Sequence, residues 1–184
     1  MSSEMLKAYK AVPTHAVGNL NNWKVKVVPY GAVVTTADVD NFTLVQYDGF
    51  NADGERQCKQ LAAVATKGFL VASVEERFVD GEQLASFFNG VGDRARLVVL
   101  ESGVTRFDTS AFEMNVVGNG GTAVTAVAVG MKAFFDPTKK KFIVCNSGAE
   151  ATLYATAANK FEVVGVETDA AYGFIVDTVK LEAI

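Results

Sequence analysis

Val127, Val129 and Met131 alternate with Ala128, Gly130 and Lys132; the run stops at Asp136-Pro137, and Phe142, Ile143 and Val144 follow. Alternation with a period of two puts successive side chains on opposite faces, the pattern of a half-buried strand. Proline has no N–H to give to a ladder, and aspartate is favoured at the first corner of a type I turn. Residues 136–139 should therefore reverse the chain. The stretch 118–144 reads as a β-hairpin with Lys139, Lys140 and Lys141 at its tip. A chain built from such units folds as layers or barrels of strands.

The 184 residues suffice for one domain or for two small β modules sharing a core, and 49% of them are hydrophobic against 21% charged. Net charge is −4 and the basic residues are dispersed apart from the triple lysine, which argues against a phosphate-binding face and against nucleic acid as a partner. The first residues, MSSEMLKAYKAVPTH, lack the apolar core of a signal peptide. No run reaches the roughly 18 apolar residues of a membrane span, so a soluble protein with no membrane partner is expected. Cys58 and Cys145 lie far apart without C-x-x-C spacing, so reduced thiols from cytoplasmic synthesis are the default.

Along the chain, residues 1–22 carry little periodicity and read as an extended N-terminal arm. Residues 23–117 read as a first β module and 118–184 as a second, barrel-like one. Trp23 to Val28 alternates apolar and basic residues as a first strand, ended by Pro29-Tyr30-Gly31. A second strand runs from Phe42 to Tyr47 and stops in an Asp48-Gly49 turn. Cys58, Leu61, Ala62 and Ala65 sit at helical spacing, so 55–65 is a weak helix candidate. The stronger helix is 82–89, with Asp80 as cap, Gln83 completing a capping box, and Leu84, Phe87, Phe88 and Val91 on one face. The expected class is mainly β: small barrel or sandwich modules in tandem, with one short helix.

The two halves echo each other. Phe69 to Glu75 and Phe161 to Glu167 share F-x-V-x-x-V-E. Gly31, Val34, Thr35 and Val39 align with Gly121, Val124, Thr125 and Val129, and Tyr47-Asp48 with Phe135-Asp136. Short apolar matches arise easily in valine-rich chains, so duplication and shared strand chemistry both stand as explanations.

Little here is poised for chemistry. His15 is the single histidine, which removes any multi-histidine metal site and leaves a Ser-His or Cys-His pairing to rest on a residue of the arm. Ser147 lacks the G-x-S-x-G elbow. Asp48, Asp53 and Asp136 read as separate turn residues in the absence of a D-x-D-x-D-G loop. Gly118-Asn-Gly-Gly121 has no Gly-Lys-Ser/Thr after it and leads into a strand, so it is a linker and no phosphate loop. A non-enzymatic protein without metal or cofactor is expected. The partner-contact candidates are Tyr9, Pro13, Trp23 and Tyr30 around the arm and first strand, and Lys139, Lys140 and Lys141 at the hairpin tip.

The segments VGMKAFFDPTKKKFIV, CNSGAEATLYATAANK and the return strand F-x-V-V-G-V-E, then GFIVDTVKL, resemble the head decoration, or cement, proteins of tailed bacteriophages. The similarity covers roughly residues 118–184 and is one of pattern, with no residue-by-residue motif. It implies a virion structural protein on the outer surface of the expanded capsid, bridging neighbouring capsomers through the major capsid protein. It also implies self-association, commonly as a trimer. A tail-tube or other shell subunit is the nearest alternative. A small β-barrel ligand binder or enzyme, using Ser147, His15 or Cys58, is the more distant one.

Overall fold

The computed structural model describes residues 15–22, 24–74, 87–169 and 176–184, and among these the protein is mainly β with one short α-helix. The first strand is β1 (Gly18–Leu20), followed by β2 (Ala32–Val34), β3 (Leu44–Phe50), β4 (Arg56–Gln60), β5 (Phe69–Val71), β6 (Arg94–Ala95) and β7 (Leu97–Val99). The second half holds β8 (Arg106–Thr109), β9 (Phe112–Met114), β10 (Lys132–Asp136), β11 (Lys141–Cys145), α1 (Thr152–Thr156), β12 (Lys160–Asp169) and β13 (Val176–Ala183).

Each of the two sheets closes on itself. One runs β6-β2-β4-β3-β5-β7, and its two ends, β6 and β7, are separated only by Arg96. The same piece of chain thus borders both sides of the row, making a five-membered barrel. The other runs β1-β8-β13-β12-β10-β11-β9, and only Ser110 and Ala111 separate β8 from β9. A second barrel results, with β1 added beside β8. Closure satisfies edge N–H and C=O groups that an open sheet leaves unpaired.

The barrels repeat one pairing order. In each, the first strand lies parallel to the third (β2 to β4, β9 to β11), and the third is antiparallel to the second (β4 to β3, β11 to β10). The second pairs with the fourth, the fourth with the fifth and the fifth with the first, all antiparallel. Phe69 and Val71 occupy the fourth strand of one barrel, Phe161 and Val163 the fourth strand of the other, and Tyr47 and Phe135 lie in the second strands. These sequence matches are therefore structural equivalences. The Gly31-to-Val39 match is not one, because Gly121 to Val129 lies in the connection after β9. The residue equivalent to Val34 is Phe112: each is the parallel partner of the third-strand residue, Cys58 or Phe142, that faces Tyr47 or Phe135.

The first barrel encloses Val28, Ala32, Val34, Val39, Val45, Cys58, Val71, Ala95 and Leu97. A larger cluster joins Phe107, Phe135, Phe142 and Phe161 of the second barrel to Leu44, Leu70 and Val98 on the opposite face of the first barrel's wall. The two barrels thus share apolar packing and should unfold together. Asn159 adds polar stitching, accepting from Gly68 N–H at 3.0 Å and donating to Thr66 O at 2.8 Å. On the outer side of β10 and β11, α1 covers Phe134, Ile143 and Cys145.

Several local expectations change. The segment 55–65 contains strand β4, because Cys58 is held between Val34 and Tyr47 in two ladders, and ladder pairing outweighs a fortuitous helical spacing. Gly49 (φ 98°) marks a register shift inside β3, so Asp48-Gly49 is a bulge and the chain reverses only at 51–54. The Val127-to-Met131 alternation is loop: Gly130 (φ 87°) turns the chain and the strand starts at Lys132. Among the described residues of the expected first strand only an isolated bridge, Val27 to Val98, forms, while β1 arises within the expected arm. Deleting residues 1–22 would therefore remove a strand paired to β8. Residues 82–86 of the expected helix lie outside the described residues, Phe87 and Phe88 are not helical, and Asn89 bridges to Val39. Among the described residues the short α-helix is α1. The strands of the first sheet end at Val99, and β8 and β9 pair within the second sheet.

Candidate partner-binding surface

The sequence Val28-Pro29-Tyr30-Gly31 forms a tight turn closed by Gly31 N–H to Val28 O at 3.0 Å. Proline supplies the second position, and the third requires positive φ, a place glycine ordinarily takes. Tyr30 holds it instead, at φ 62°, which costs roughly 1–2 kcal/mol for an L-residue. Its side chain is 88% exposed, so burial within this fold does not offset that cost. Tyr30→Gly is expected to raise stability by about 0.5–1 kcal/mol in a denaturant titration, because strain relief exceeds the added freedom of the unfolded chain.

Phe50, 66% exposed, and Tyr30 line one groove of about 490 Å³ together with Gly31, Gly54, Glu55, Arg56 and Arg94. Both guanidiniums brace the turn: Arg56 Nη1 donates to Pro29 O and Arg94 Nη1 to Tyr30 O, each at 2.9 Å. Arg94 also pairs with Glu55, whose other oxygen accepts from Asn51 Nδ2 at 2.9 Å. The Asn51 bond, with Arg94 second, holds the Glu55 carboxyl below its ordinary range. Asn51 Oδ1 accepts from Asp53 and Glu55 N–H groups, so the floor of the groove is fixed from within. Braced aromatics facing outward beside arginine have the composition of an interface anchor.

The hairpin tip is organised differently from the free basic cluster expected. Asp136 Oδ1 accepts from Thr138 N–H at 2.9 Å, as the turn chemistry predicts, and Lys140 adopts φ 55°. Lys139 is half-buried and salt-bridged to Glu113 at 2.8 Å. Lys141 is exposed and lies opposite Asp136 in the ladder. Lys140 faces a cleft of about 410 Å³ that also holds His15, Asp38, Asp40 and Gln60. Tyr9, Pro13 and Trp23 lie outside the described residues.

The reactive candidates do not converge. His15 Nδ1 lies 2.7 Å from Asp40 Oδ1 and its ring sits 4.9 Å from that of Phe88, while the second Asp40 oxygen accepts from Ala16 N–H. That arrangement pins the entry to β1. Ser147 is exposed in the turn between Asn146 and Ala149. Cys58 is wholly buried in the first barrel and burial pushes its thiol up to about 11; burial also raises the thiol of Cys145. The native protein is expected to give no fast reaction with a thiol reagent at pH 8, and to release both thiols in denaturant. The raised Cys58 value disfavours the thiolate in the folded state. Its share of stability is complete below the unfolded thiol range, near pH 9, and is lost as pH rises toward 11. Cys58→Ser should flatten that alkaline limb of a stability profile.

Asp48 is salt-bridged to Lys59 at 2.5 Å, whereas Asp53 and Asp136 serve separate turns, and among the described residues no group of three or more metal-ligating side chains forms. In the glycine segment, Asn115 Nδ2 donates to Gly120 O and Thr122 O, and the chain runs so close to Ala149 and Glu150 that a Cβ at Gly121 would meet their carbonyl oxygens. Gly121 serves that backbone approach, whereas a Cβ at Gly118 would meet nothing.

A family model described as YonC prophage protein matches residues 11–184. The chain belongs to that family. A relative from Bacillus subtilis (strain 168), the SPbeta prophage-derived uncharacterized protein YonC, is 42% identical over 184 residues, covering 100% of this chain and 99% of the relative. No solved structure matches. The family establishes a phage origin for the chain. Within this YonC-family member the exposed groove draws on Phe50, Arg56 and Arg94, which sequence reading passed over. Phe50 follows Asp48-Gly49, and reading that pair as a turn removed Phe50 from the strand.

Proposed function

We propose that this protein is a virion structural protein that decorates and stabilises the expanded phage capsid, bridging neighbouring capsomers by contact with the major capsid protein. It acts without catalysis, metal or cofactor, on the capsid outer surface, and copies self-associate around the capsomer junctions they cover. The observation that carries this reading is Tyr30: a strained, outward-facing aromatic beside Phe50, held by two arginines. Two closed barrels with shared apolar packing supply the rigid body a clamp needs, and prophage membership supplies the setting. Binding only the expanded shell stabilises it by mass action, about 1.4 kcal/mol per site at a tenfold excess over Kd, and capsid symmetry multiplies that gain.

The test mixes purified protein with expanded heads, precursor shells and tails from the same phage and measures co-sedimentation. Retention on expanded heads alone is expected; retention on tails would move the assignment to a tail subunit, and retention on none would remove it. Tyr30→Ala is expected to weaken head binding roughly tenfold or more, as an anchor does. His15→Ala and Ser147→Ala should leave it unchanged.

A further inference from the structure

We infer that the Tyr30–Phe50 groove takes a protein segment that carries a carboxylate beside an apolar side chain. The groove's polar groups are mostly committed. Arg94 is shared between Tyr30 O and Glu55, and Glu55 is further held by Asn51. Arg56 is bonded only through Nη1, to Pro29 O, among the described residues. Its remaining N–H donors form a planar fork already fixed in orientation, a geometry suited to the two oxygens of a carboxylate. Tyr30 and Phe50 flank that fork with exposed rings, which would pack an apolar neighbour and strip water from the ion pair.

A nucleic acid is the other ligand that pairs aromatic rings with arginine, and the charges here disfavour it. Its affinity comes from several cations on successive phosphates. Here a single guanidinium, Arg56, keeps unbonded donors and no carboxylate partner among the groove's described residues, Glu55 lines the groove, Asp53 sits in the adjoining turn, and the chain carries a net charge of −4. This inference deepens the capsid reading by giving the chemistry of the shell segment that would enter, and it rests on that reading only for the name of the partner.

The experiment places the photo-crosslinking residue p-benzoylphenylalanine at position 50 of the full chain during phage production. Irradiated lysates and purified particles are then searched for the crosslinked peptide by mass spectrometry. The expected product is a peptide with Asp or Glu next to an apolar residue at the crosslink, its yield falling roughly tenfold with Arg56→Ala and partly restored by Arg56→Lys. Thermal melts of both variants separate this loss from misfolding. A nucleic-acid adduct, a peptide without a carboxylate, no adduct, or a yield indifferent to Arg56→Ala in a folded variant would each overturn the inference. A carboxylate-bearing peptide from a protein outside the capsid would uphold the groove's chemistry and overturn the capsid reading instead.

Discussion

Phe142→Ala is expected to cost about 3–5 kcal/mol of stability, the range for removing a buried aromatic ring that its surroundings cannot refill. Phe142 is fully buried and its ring lies 5.0 Å from Phe135, 5.2 Å from Phe161 and 5.5 Å from Phe107, largely edge to face. These rings come from four strands of one closed barrel, so no single strand can move inward without breaking its ladders. Urea unfolding followed by circular dichroism gives the number. Because the cluster extends to Leu44, Leu70 and Val98, the loss should appear in one transition with an unchanged slope. A separate early transition of the second barrel alone would show that the shared packing does not couple the two.

Gly121→Ala is expected to be the second largest loss, about 2–4 kcal/mol from backbone strain and overpacking together. A methyl there would stand 2.3 Å from Glu150 O and 2.5 Å from Ala149 O, and both are backbone atoms that cannot swing aside. The residue also sits at φ 66°, which by itself costs an L-residue about 1 kcal/mol. Gly130→Ala separates the two causes: its φ is 87° with nothing within 4 Å of the new methyl, so only the smaller backbone cost should appear. Equal losses in the two variants would mean that the close approach at Gly121 is relieved by movement of the loop. The same urea titration serves both.

Reading the chain from residues alone recovered short apolar runs as strands, including one buried on both faces. Phe142 to Val144, the return arm of the hairpin, and Phe161 to Val163 both fall in strands. The Asp136-Pro137 turn was legible because its chemistry is local: an aspartate oxygen captures the N–H groups just beyond it. What misled were features whose meaning depends on a distant neighbour. Cys58 and Leu61 have helical spacing, yet pairing with Val34 and Tyr47 makes their segment a strand. The ion pair of Lys139 with Glu113 was likewise not legible, because the two lie in separate strands and turns that only the sheet brings together.

The candidate surface was half legible. Tyr30 stood out as an aromatic at a turn, but its positive φ, its exposure and its company are tertiary facts. Phe50 comes from the end of β3, Arg56 from β4 and Arg94 from β6, and only barrel closure brings them to the same turn.

By itself, the sequence determined a mainly β chain, the Asp136-Pro137 turn and an internal echo between its halves, because strand patterning and turn chemistry act over a few residues. Only the tertiary structure decided that the echo is a repeated five-strand pairing order and that each row closes on itself. It alone decided which aromatics are core and which face outward. Those outcomes depend on contacts between segments tens of residues apart, where register and packing outweigh local preference.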